Sequence, residues 1–119
     1  MSSFPVSLPP ALLALQDRLA EDIRILKVRE VSSVTDYFVI ATANAVPHIK
    51  ALCDEVEHRT RAVKARCRRR GGTPESGWMV LDYSDVVVHI MTRELREFYA
   101  LEQLWSDAKT LQVDEVLPA

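Results

Sequence analysis

The chain has 119 residues, 48% of them hydrophobic, with 15 basic and 17 acidic side chains. This length suits one domain with its own core, and the apolar content excludes an intrinsically disordered chain. The formal net charge of −2 excludes a protein whose whole surface attracts nucleic acid. We expect a single domain over residues 1–119, with a core from about residue 8 to about residue 108 and loose termini.

The cysteines and the hydropathy pattern bear on where the protein works. Cys53 and Cys67 are the only two, and two thiols make no disulfide framework, so a reduced cytoplasmic setting is the simpler interpretation. Cys67 lies among arginines, which could lower its pKa, but without a neighbouring histidine in the sequence we interpret it as inert. The first residues lack the basic region of a signal peptide. No apolar run approaches the ~20 residues that span a bilayer, so we expect no membrane contact.

The first third of the chain predicts a helix and two strands. Pro9 and Pro10 suit the first turn of a helix, and leucines follow at helical spacing up to Leu19. Residues 23–31 mix apolar positions with basic ones and predict a strand with one polar edge or face. Residues 37–42 are almost continuously β-prone and predict a buried strand.

The middle of the chain predicts a second helix, a basic run and a loop. Asn44 is the expected cap of the helix, Pro47 falls in its first turn, and apolar positions continue to Val63. Residues 59–70 contain seven Lys or Arg and no acid. This basic run is equally typical of a solvated helix end with an edge strand and of a surface that meets RNA phosphates, but it has no interleaved aromatic residues to stack on bases. Residues 71–77 predict a loop.

Residues 78–91 predict a β-hairpin around the polar pair Ser84–Asp85. Alternation places Trp78 and Val80 on one face and Leu81 on the other. Both faces are mostly apolar, whereas a hairpin with one face in water would be half polar. The hairpin is therefore either covered on both sides or carries an apolar face meant for a partner.

The end of the chain predicts a last helix, capped by Thr92, with a wide apolar stripe up to Ala108. From Lys109 onward the chain either holds a short strand or is mobile. The interleaved order of helices and strands predicts an α/β fold, with a single mixed β-sheet flanked by helices.

The titratable residues do not indicate a catalytic or metal site. His48, His58 and His89 have no partner at metal-ligand spacing, so we interpret each as a surface or packing residue. Asp82 and Asp85 flank the hairpin turn. Two carboxylates could bind a metal or do acid–base work, but aspartates in tight turns typically satisfy their own backbone, and we favour that role.

The aromatic residues favour an interface. A small domain does not easily bury two Trp and three Tyr, and Trp and Tyr are favoured at interfaces. The hairpin and the last helix should pack together, because only two residues join them. The predicted partner-binding residues are Trp78, Leu81, Tyr83, Tyr99, Leu104 and Trp105. A homodimer stays an open alternative.

Three segments resemble one family. They are Ser32–Thr42, Trp78–Met91 and Arg96–Trp105. Together with Gly72, which lies six residues before Trp78, they have the order and spacing of the Iojap family, the ribosomal silencing factors. The likeness runs from about Asp22 to Ala108 and covers most of the chain.

The resemblance implies a fold related to nucleotidyltransferases but without their active site, and so no catalysis, no cofactor and no metal. It implies binding to protein fourteen of the large ribosomal subunit, which sterically blocks joining of the small subunit and represses translation. Contact of the basic run with ribosomal RNA is a further expectation. The residues concerned are Arg66, Arg68, Arg69 and Arg70.

The alternative is a metal-dependent nucleotidyltransferase-like enzyme. Such an enzyme needs a Gly-Ser turn and two acids one residue apart on a strand, so that both reach one pair of cations. Here residues 43–45 replace that turn, and Asp82 and Asp85 are three apart. The chain also departs from the family by Gly71, where Glu is usual, and by Ser84, where Gly is usual. Ser84 either strains a turn that needs a positive φ, by roughly 1–2 kcal/mol, or marks a different turn type.

Overall fold

A computed structural model describes residues 4–117 of the chain. The helices are α1 (Leu8–Asp17), α2 (Val46–Ala62), α3 (Arg93–Tyr99), α4 (Leu101–Leu104) and α5 (Val113–Val116). The strands are β1 (Glu21–Lys27), β2 (Tyr37–Ala43), β3 (Arg69–Thr73), β4 (Trp78–Asp82), β5 (Val86–Thr92) and β6 (Lys109–Leu111). A 3₁₀ turn, Pro74–Ser76, joins β3 to β4.

The six strands form one sheet in the order β3-β4-β5-β2-β1-β6. Strand β2 pairs with β5 in parallel, and the other neighbouring pairs are antiparallel. A parallel pair needs a long crossover, and the chain uses it to form α2, β3 and β4. The predicted α/β fold, a single mixed sheet flanked by helices, is confirmed. The relation to nucleotidyltransferases stays a prediction.

The two faces of the sheet are covered by different helices. On one face, Leu12 of α1 and Leu52 of α2 pack with Leu81 of β4 in the main core. On the opposite face, Leu95 of α3 and Leu101 of α4 pack against a smaller buried cluster. Because side chains alternate along each strand, β4 and β5 contribute to both clusters.

The predicted hairpin is formed by β4 and β5, with Asp82 opposite Val87. Ser84 in its turn has a φ of 77°, and the Ser84 N–H donates to Asp82 Oδ1 at 2.7 Å. The turn role of Asp82 is therefore confirmed. The positive φ expected for a glycine-type turn is also present, so Ser84 carries a strain of roughly 1–2 kcal/mol.

Helix α2 begins one residue later than predicted. Its N-cap is Ala45, which is extended at φ −167° and ψ 167° and offers no side-chain cap. The Asn44 cap is therefore wrong, because an extended residue separates Asn44 from the first helical residue. The Asn44 N–H donates instead to His48 Nδ1 at 3.0 Å. Pro47 lies in the first turn of the helix, as predicted.

Three other boundaries differ from prediction. Strand β1 ends at Lys27, because residues 28 and 29 turn to donate their N–H groups to the Asp36 carbonyl. The predicted loop at residues 71–77 begins inside the edge strand, since residues 71–73 pair with β4. The last helix breaks at Ala100, whose left-handed conformation (φ 48°, ψ 53°) ends α3 before α4 begins.

The chain after Ala108 forms β6 and α5. Of the two alternatives for this tail, the short strand is the one formed, with Leu111 opposite Ile25 of β1. Leu111 and Val116 are buried in the main core. At the other end, the Phe4 and Tyr37 rings pack edge-on with centroids 6.0 Å apart. Residues 1–3 and 118–119 of the expected loose termini lie outside the described residues.

Gly72 of β3 offers a test of the edge-strand geometry. Its φ is +79°, and a Cβ there would lie 2.2 Å from the main-chain oxygen of Trp78. We expect Gly72→Ala to lower the free energy of unfolding by more than the ~1–2 kcal/mol of a left-handed residue, because the backbone must also shift. The measurement is urea unfolding followed by circular dichroism.

Gly71→Ala is the matched control for this substitution. Its Cβ would meet Val80 Cβ at an ordinary 3.7 Å, so the free energy of unfolding should change by less than ~0.5 kcal/mol. Equal unfolding midpoints for the two variants would contradict the geometry at Gly72.

Candidate protein-binding site

The sheet face turned away from α1 and α2 carries a continuous row of rings. Successive ring centroids lie 5.4, 5.4, 5.9, 4.9 and 5.0 Å apart. We call this surface the aromatic face, and its rings in order are Trp105, Phe38, His89, Trp78, Tyr99 and Phe98. Tilted and edge-to-face pairs at such distances attract each other, so the row stabilises its own arrangement.

Strand register brings the inner rings together. Phe38 of β2 lies opposite Val87 of β5, two residues before His89, and Val80 of β4 lies opposite His89 on its other side. Paired residues in neighbouring strands share a face. Phe38, His89 and Trp78 therefore lie on one diagonal across three strands, offset by two residues from each strand to the next, although they are far apart in the sequence.

The outer rings depend on where α3 begins. Thr92 caps the helix as predicted, because its side chain accepts a hydrogen bond from the Leu95 N–H at 3.3 Å. This cap starts α3 directly after β5. The seven residues of α3 then lead to Tyr99, whose ring packs on Trp78. Leu95 points toward the sheet and joins the smaller cluster.

The aromatic face is only partly covered. Phe98 is 77% exposed, Leu104 is 70% exposed and Tyr99 is 47% exposed. Trp78 and Trp105 are half-buried against the smaller cluster. Large apolar side chains grouped on one exposed surface are typical of a binding site, and Tyr and Trp at its centre are typical anchors.

One hydrogen bond fixes the middle of the row. The indole Nε1–H of Trp78 donates to His89 Nδ1 at 3.1 Å. Burial lowers the pKa of His89 to about 4, so the imidazole is neutral near pH 7. The packing role predicted for His89 is confirmed, and its contact with Trp78 orients the indole.

The structure divides the six predicted binding residues between two faces. Trp78, Tyr99 and Trp105 belong to the aromatic face, and Leu104 is the exposed residue directly before Trp105 in the chain. Leu81 and Tyr83 do not lie on this face. Phe38, His89 and Phe98 also lie on the aromatic face but were not among the predicted binding residues, although strand alternation and a register for the hairpin would have pointed to His89.

Leu81 and Tyr83 lie in the main core, on the opposite face from Trp78. Leu81 has no exposed surface, and Tyr83 is 6% exposed. The Tyr83 hydroxyl lies 2.9 Å from Thr60 Oγ1, and burial raises the Tyr83 pKa to about 12. The reason is the two-residue period of an extended chain, which directs the odd-numbered positions of β4, and Tyr83 directly after it, away from the aromatic face.

A buried arginine holds the break between α3 and α4 against the sheet. Arg96 is 5% exposed, and its Nε donates to Glu102 Oε1 at 2.9 Å. Its Nη1 donates to the Asp22 carbonyl and, at 2.8 Å, to Thr42 Oγ1. Asp22 lies where the β1–β2 register shifts and has a φ of 50°. Arg96 thus ties the irregular start of β1 to the elements that carry Tyr99 and Trp105.

The basic run at residues 59–70 is neutralised at two of its seven cations. Arg59 pairs with Glu55 and Asp17, and Arg70 pairs with Glu57 at 3.3 Å. Within residues 4–117 the other five cations have no acidic partner in ion-pair range. They are Arg61, Lys64, Arg66, Arg68 and Arg69. Unpaired cations therefore gather between the end of α2 and the edge strand β3.

The two cysteines lie in surroundings that do not favour a reactive thiolate. Cys53 is buried in the main core, and burial raises its pKa to about 12. Burial also raises the pKa of Cys67, so the arginines around it do not produce a reactive thiolate. Within residues 4–117 there is no group of three His, Cys, Asp or Glu that could hold a metal ion. Over the same residues, no helix is long and apolar enough to cross a membrane.

Comparison with known proteins places the chain in a family. A family model described as "Ribosomal silencing factor during starvation" matches residues 2–119. The ribosomal silencing factor RsfS of Bacillus subtilis is 34% identical over 104 residues, which cover 87% of this chain and 88% of that protein. A mouse protein named "Mitochondrial assembly of ribosomal large subunit protein 1" is 30% identical over 95 residues, 77% of this chain and 42% of its own length.

A solved structure agrees with these matches. The crystal structure of a Chromobacterium violaceum protein superposes with a TM-score of 0.81 at 27% identity, covering 87% of this chain and 88% of that one. The fold and the sequence therefore point the same way. The chain belongs to the Iojap family of ribosomal silencing factors.

Proposed function

We propose that the chain binds protein fourteen of the large ribosomal subunit through the aromatic face. The bound chain then sterically blocks joining of the small subunit and represses translation. The observation that carries the proposal is the row of rings, in which Phe98 and Tyr99 of α3 are exposed beside rings held by the sheet. The relatives support it, since the Bacillus subtilis protein is named a silencing factor and the mouse protein is named for assembly of the large subunit.

The aromatic face has the physical properties that such binding needs. Trp78 is half-buried and fixed by its hydrogen bond to His89, so it loses little side-chain freedom on docking. Phe98 adds exposed apolar area at one end of the row, and Leu104 adds exposed apolar area next to Trp105 in the chain. Exclusion of the small subunit requires only a bound obstacle, so the function needs no catalytic group, cofactor or metal. We place this action in the cytoplasm, with the ribosomes.

The unpaired cations favour a second contact with ribosomal RNA. Arg66, Arg68 and Arg69 have no acidic partner within residues 4–117, whereas Arg70 is already paired with Glu57. The edge strand β3 is hydrogen-bonded to β4, which carries Trp78. A partner docked on the aromatic face would therefore bring nearby RNA phosphates within reach of these arginines.

The aromatic face predicts the effect of two truncations. We expect Trp78→Ala and Tyr99→Ala each to weaken binding to purified large subunits by ~2 kcal/mol, about thirtyfold, because central aromatic anchors carry much of the binding energy. Both variants should stay folded, since the main core lies on the other face of the sheet. The measurement is co-sedimentation with large subunits, beside circular dichroism of the same samples.

Leu19→Ala is the control, because Leu19 is 77% exposed but lies outside the aromatic face. Addition of small subunits to the same mixtures tests the mechanism. The wild-type chain and Leu19→Ala should lower the fraction of joined ribosomes in a sucrose gradient, and Trp78→Ala should not. Wild-type binding by folded Trp78→Ala and Tyr99→Ala would show that the proposed surface is wrong.

Two leucines separate binding from stability. Leu104 is 70% exposed and Leu81 is fully buried. Leu104→Ala should change the free energy of unfolding by less than ~0.5 kcal/mol and weaken binding. Leu81→Ala should cost ~2–5 kcal/mol of stability and leave the affinity of the folded fraction unchanged. The reverse pattern in unfolding and sedimentation measurements would put the binding surface on the other face.

The basic run predicts a change in salt dependence. Replacing Arg66, Arg68 and Arg69 together by Gln should weaken binding to large subunits and flatten the slope of log affinity against log salt. The matched control replaces three exposed cations elsewhere, Arg29, Lys50 and Lys109. If both triple variants keep the wild-type slope, the unpaired arginines only solvate the edge of the sheet.

A further inference from the structure

The hydrogen bond between Trp78 and His89 determines which histidine nitrogen carries the proton. An indole N–H can only donate, so His89 Nδ1, at 3.1 Å from Trp78 Nε1, must present its lone pair. Burial lowers the pKa of His89 to about 4, which keeps the ring neutral near pH 7. A neutral imidazole with an unprotonated Nδ1 carries its single proton on Nε2.

We propose that the Nε2–H of His89 is a fixed hydrogen-bond donor on the aromatic face and that it recognises a neutral carbonyl oxygen of the protein that docks there. This inference rests on the proposed function, because it needs a partner on that face. In this role His89 fixes the position of the partner along the sheet, whereas Trp78 and Tyr99 anchor the partner through apolar contacts.

The neighbours of His89 are aromatic or apolar side chains. Its ring lies between those of Phe38 and Trp78, at centroid distances of 5.4 and 5.9 Å. Its neighbours in register are Val80 on β4 and Ile40 on β2. Within residues 4–117, His89 Nε2 makes no hydrogen bond. This nitrogen is not fully buried. In the free protein the Nε2–H therefore has no protein acceptor among these residues, and a docked partner can supply one.

The same surroundings favour a carbonyl over a carboxylate. A docked partner would remove the site from water, and a desolvated carboxylate needs a pairing charge. His89 is neutral, and its neighbours in ring contact and register are apolar or aromatic. A main-chain or amide carbonyl needs only one N–H and brings no charge. If the N–H is missing, that carbonyl is left unsatisfied, and affinity should fall roughly tenfold.

Two variants of His89 test the donor, and the proton-exchange measurement on the unsubstituted chain separates it from the Nδ1 contact with Trp78. His89→Phe keeps an aromatic ring between Phe38 and Trp78 but has no N–H, and it should bind purified large subunits roughly tenfold more weakly than the wild type. His89→Gln retains an amide N–H donor and an oxygen that can accept from the Trp78 indole, so it should recover part of that loss. A loss of apolar packing alone would instead weaken the Gln variant more than the Phe variant.

The tautomer can be read without any substitution. Nitrogen-15 spectra of the histidine rings should show His89 protonated at Nε2 and not at Nδ1 in the free chain. In a complex with the isolated subunit protein, the same tautomer should persist and its N–H should exchange more slowly with water. Protonation at Nδ1 in the free chain, or at both nitrogens in the complex, would overturn the proposal, the latter because it indicates a carboxylate.

Tyr99→Ala separates failure of this inference from failure of the proposed function. If His89→Phe is folded and binds at wild-type strength while Tyr99→Ala has lost affinity, the docking surface stands and the donor role of His89 is wrong. If Tyr99→Ala also binds at wild-type strength, the docking surface is wrong and the inference falls with it.

Discussion

The parallel pairing of β2 with β5 at the centre of the sheet is the constraint on which the rest of the structure depends. Parallel strands cannot be joined by a tight turn, so the chain leaves β2 through α2 and returns through β3 and β4. This route covers one face of the sheet with a 17-residue helix and makes β5 the second strand of a hairpin. Strands β1 and β6 then complete the sheet on the other side of β2.

The same topology leaves the two faces unequally covered. Within residues 4–117, the main core has α1 and α2 across it, whereas the other face has α3, with seven residues, and α4, with four. Two such short helices cannot cover three central strands, so rings from those strands remain partly open. The aromatic face is the direct result, and its rings fill the gap by packing on one another. A surface formed in this way is rigid, because each ring is held by its neighbours and by the sheet.

The charged side chains divide in a similar way, since one cation is buried between α3 and the sheet and others near the edge strand β3 stay unpaired within the described residues. Arg96 is a buried cation whose Nε and Nη1 donate to Glu102, the Asp22 carbonyl and Thr42. Its Nη2 makes no hydrogen bond to the described residues and lies 3.8 Å from Asp22 Oδ2. Removing one partner of such a buried group is costly, so the break at Ala100 and the start of β1 are held together. The cations near β3 are the opposite case, because most of them lack an acidic partner within residues 4–117. Their positive charge is therefore not neutralised by that part of the chain.

The sequence by itself determined most of the elements, their alternation and the mixed sheet, because periodicity and turn chemistry act between near neighbours in the chain. The resemblance of three segments indicated the family. Alternation alone already separated Leu81 from Trp78, since neighbouring positions of a strand point to opposite faces. Only the tertiary structure decided that Phe38 and His89 join Trp78, that the helix breaks at Ala100, and which arginines are neutralised. These outcomes depend on register between strands and on ion pairs between residues distant in sequence, which local patterns do not encode.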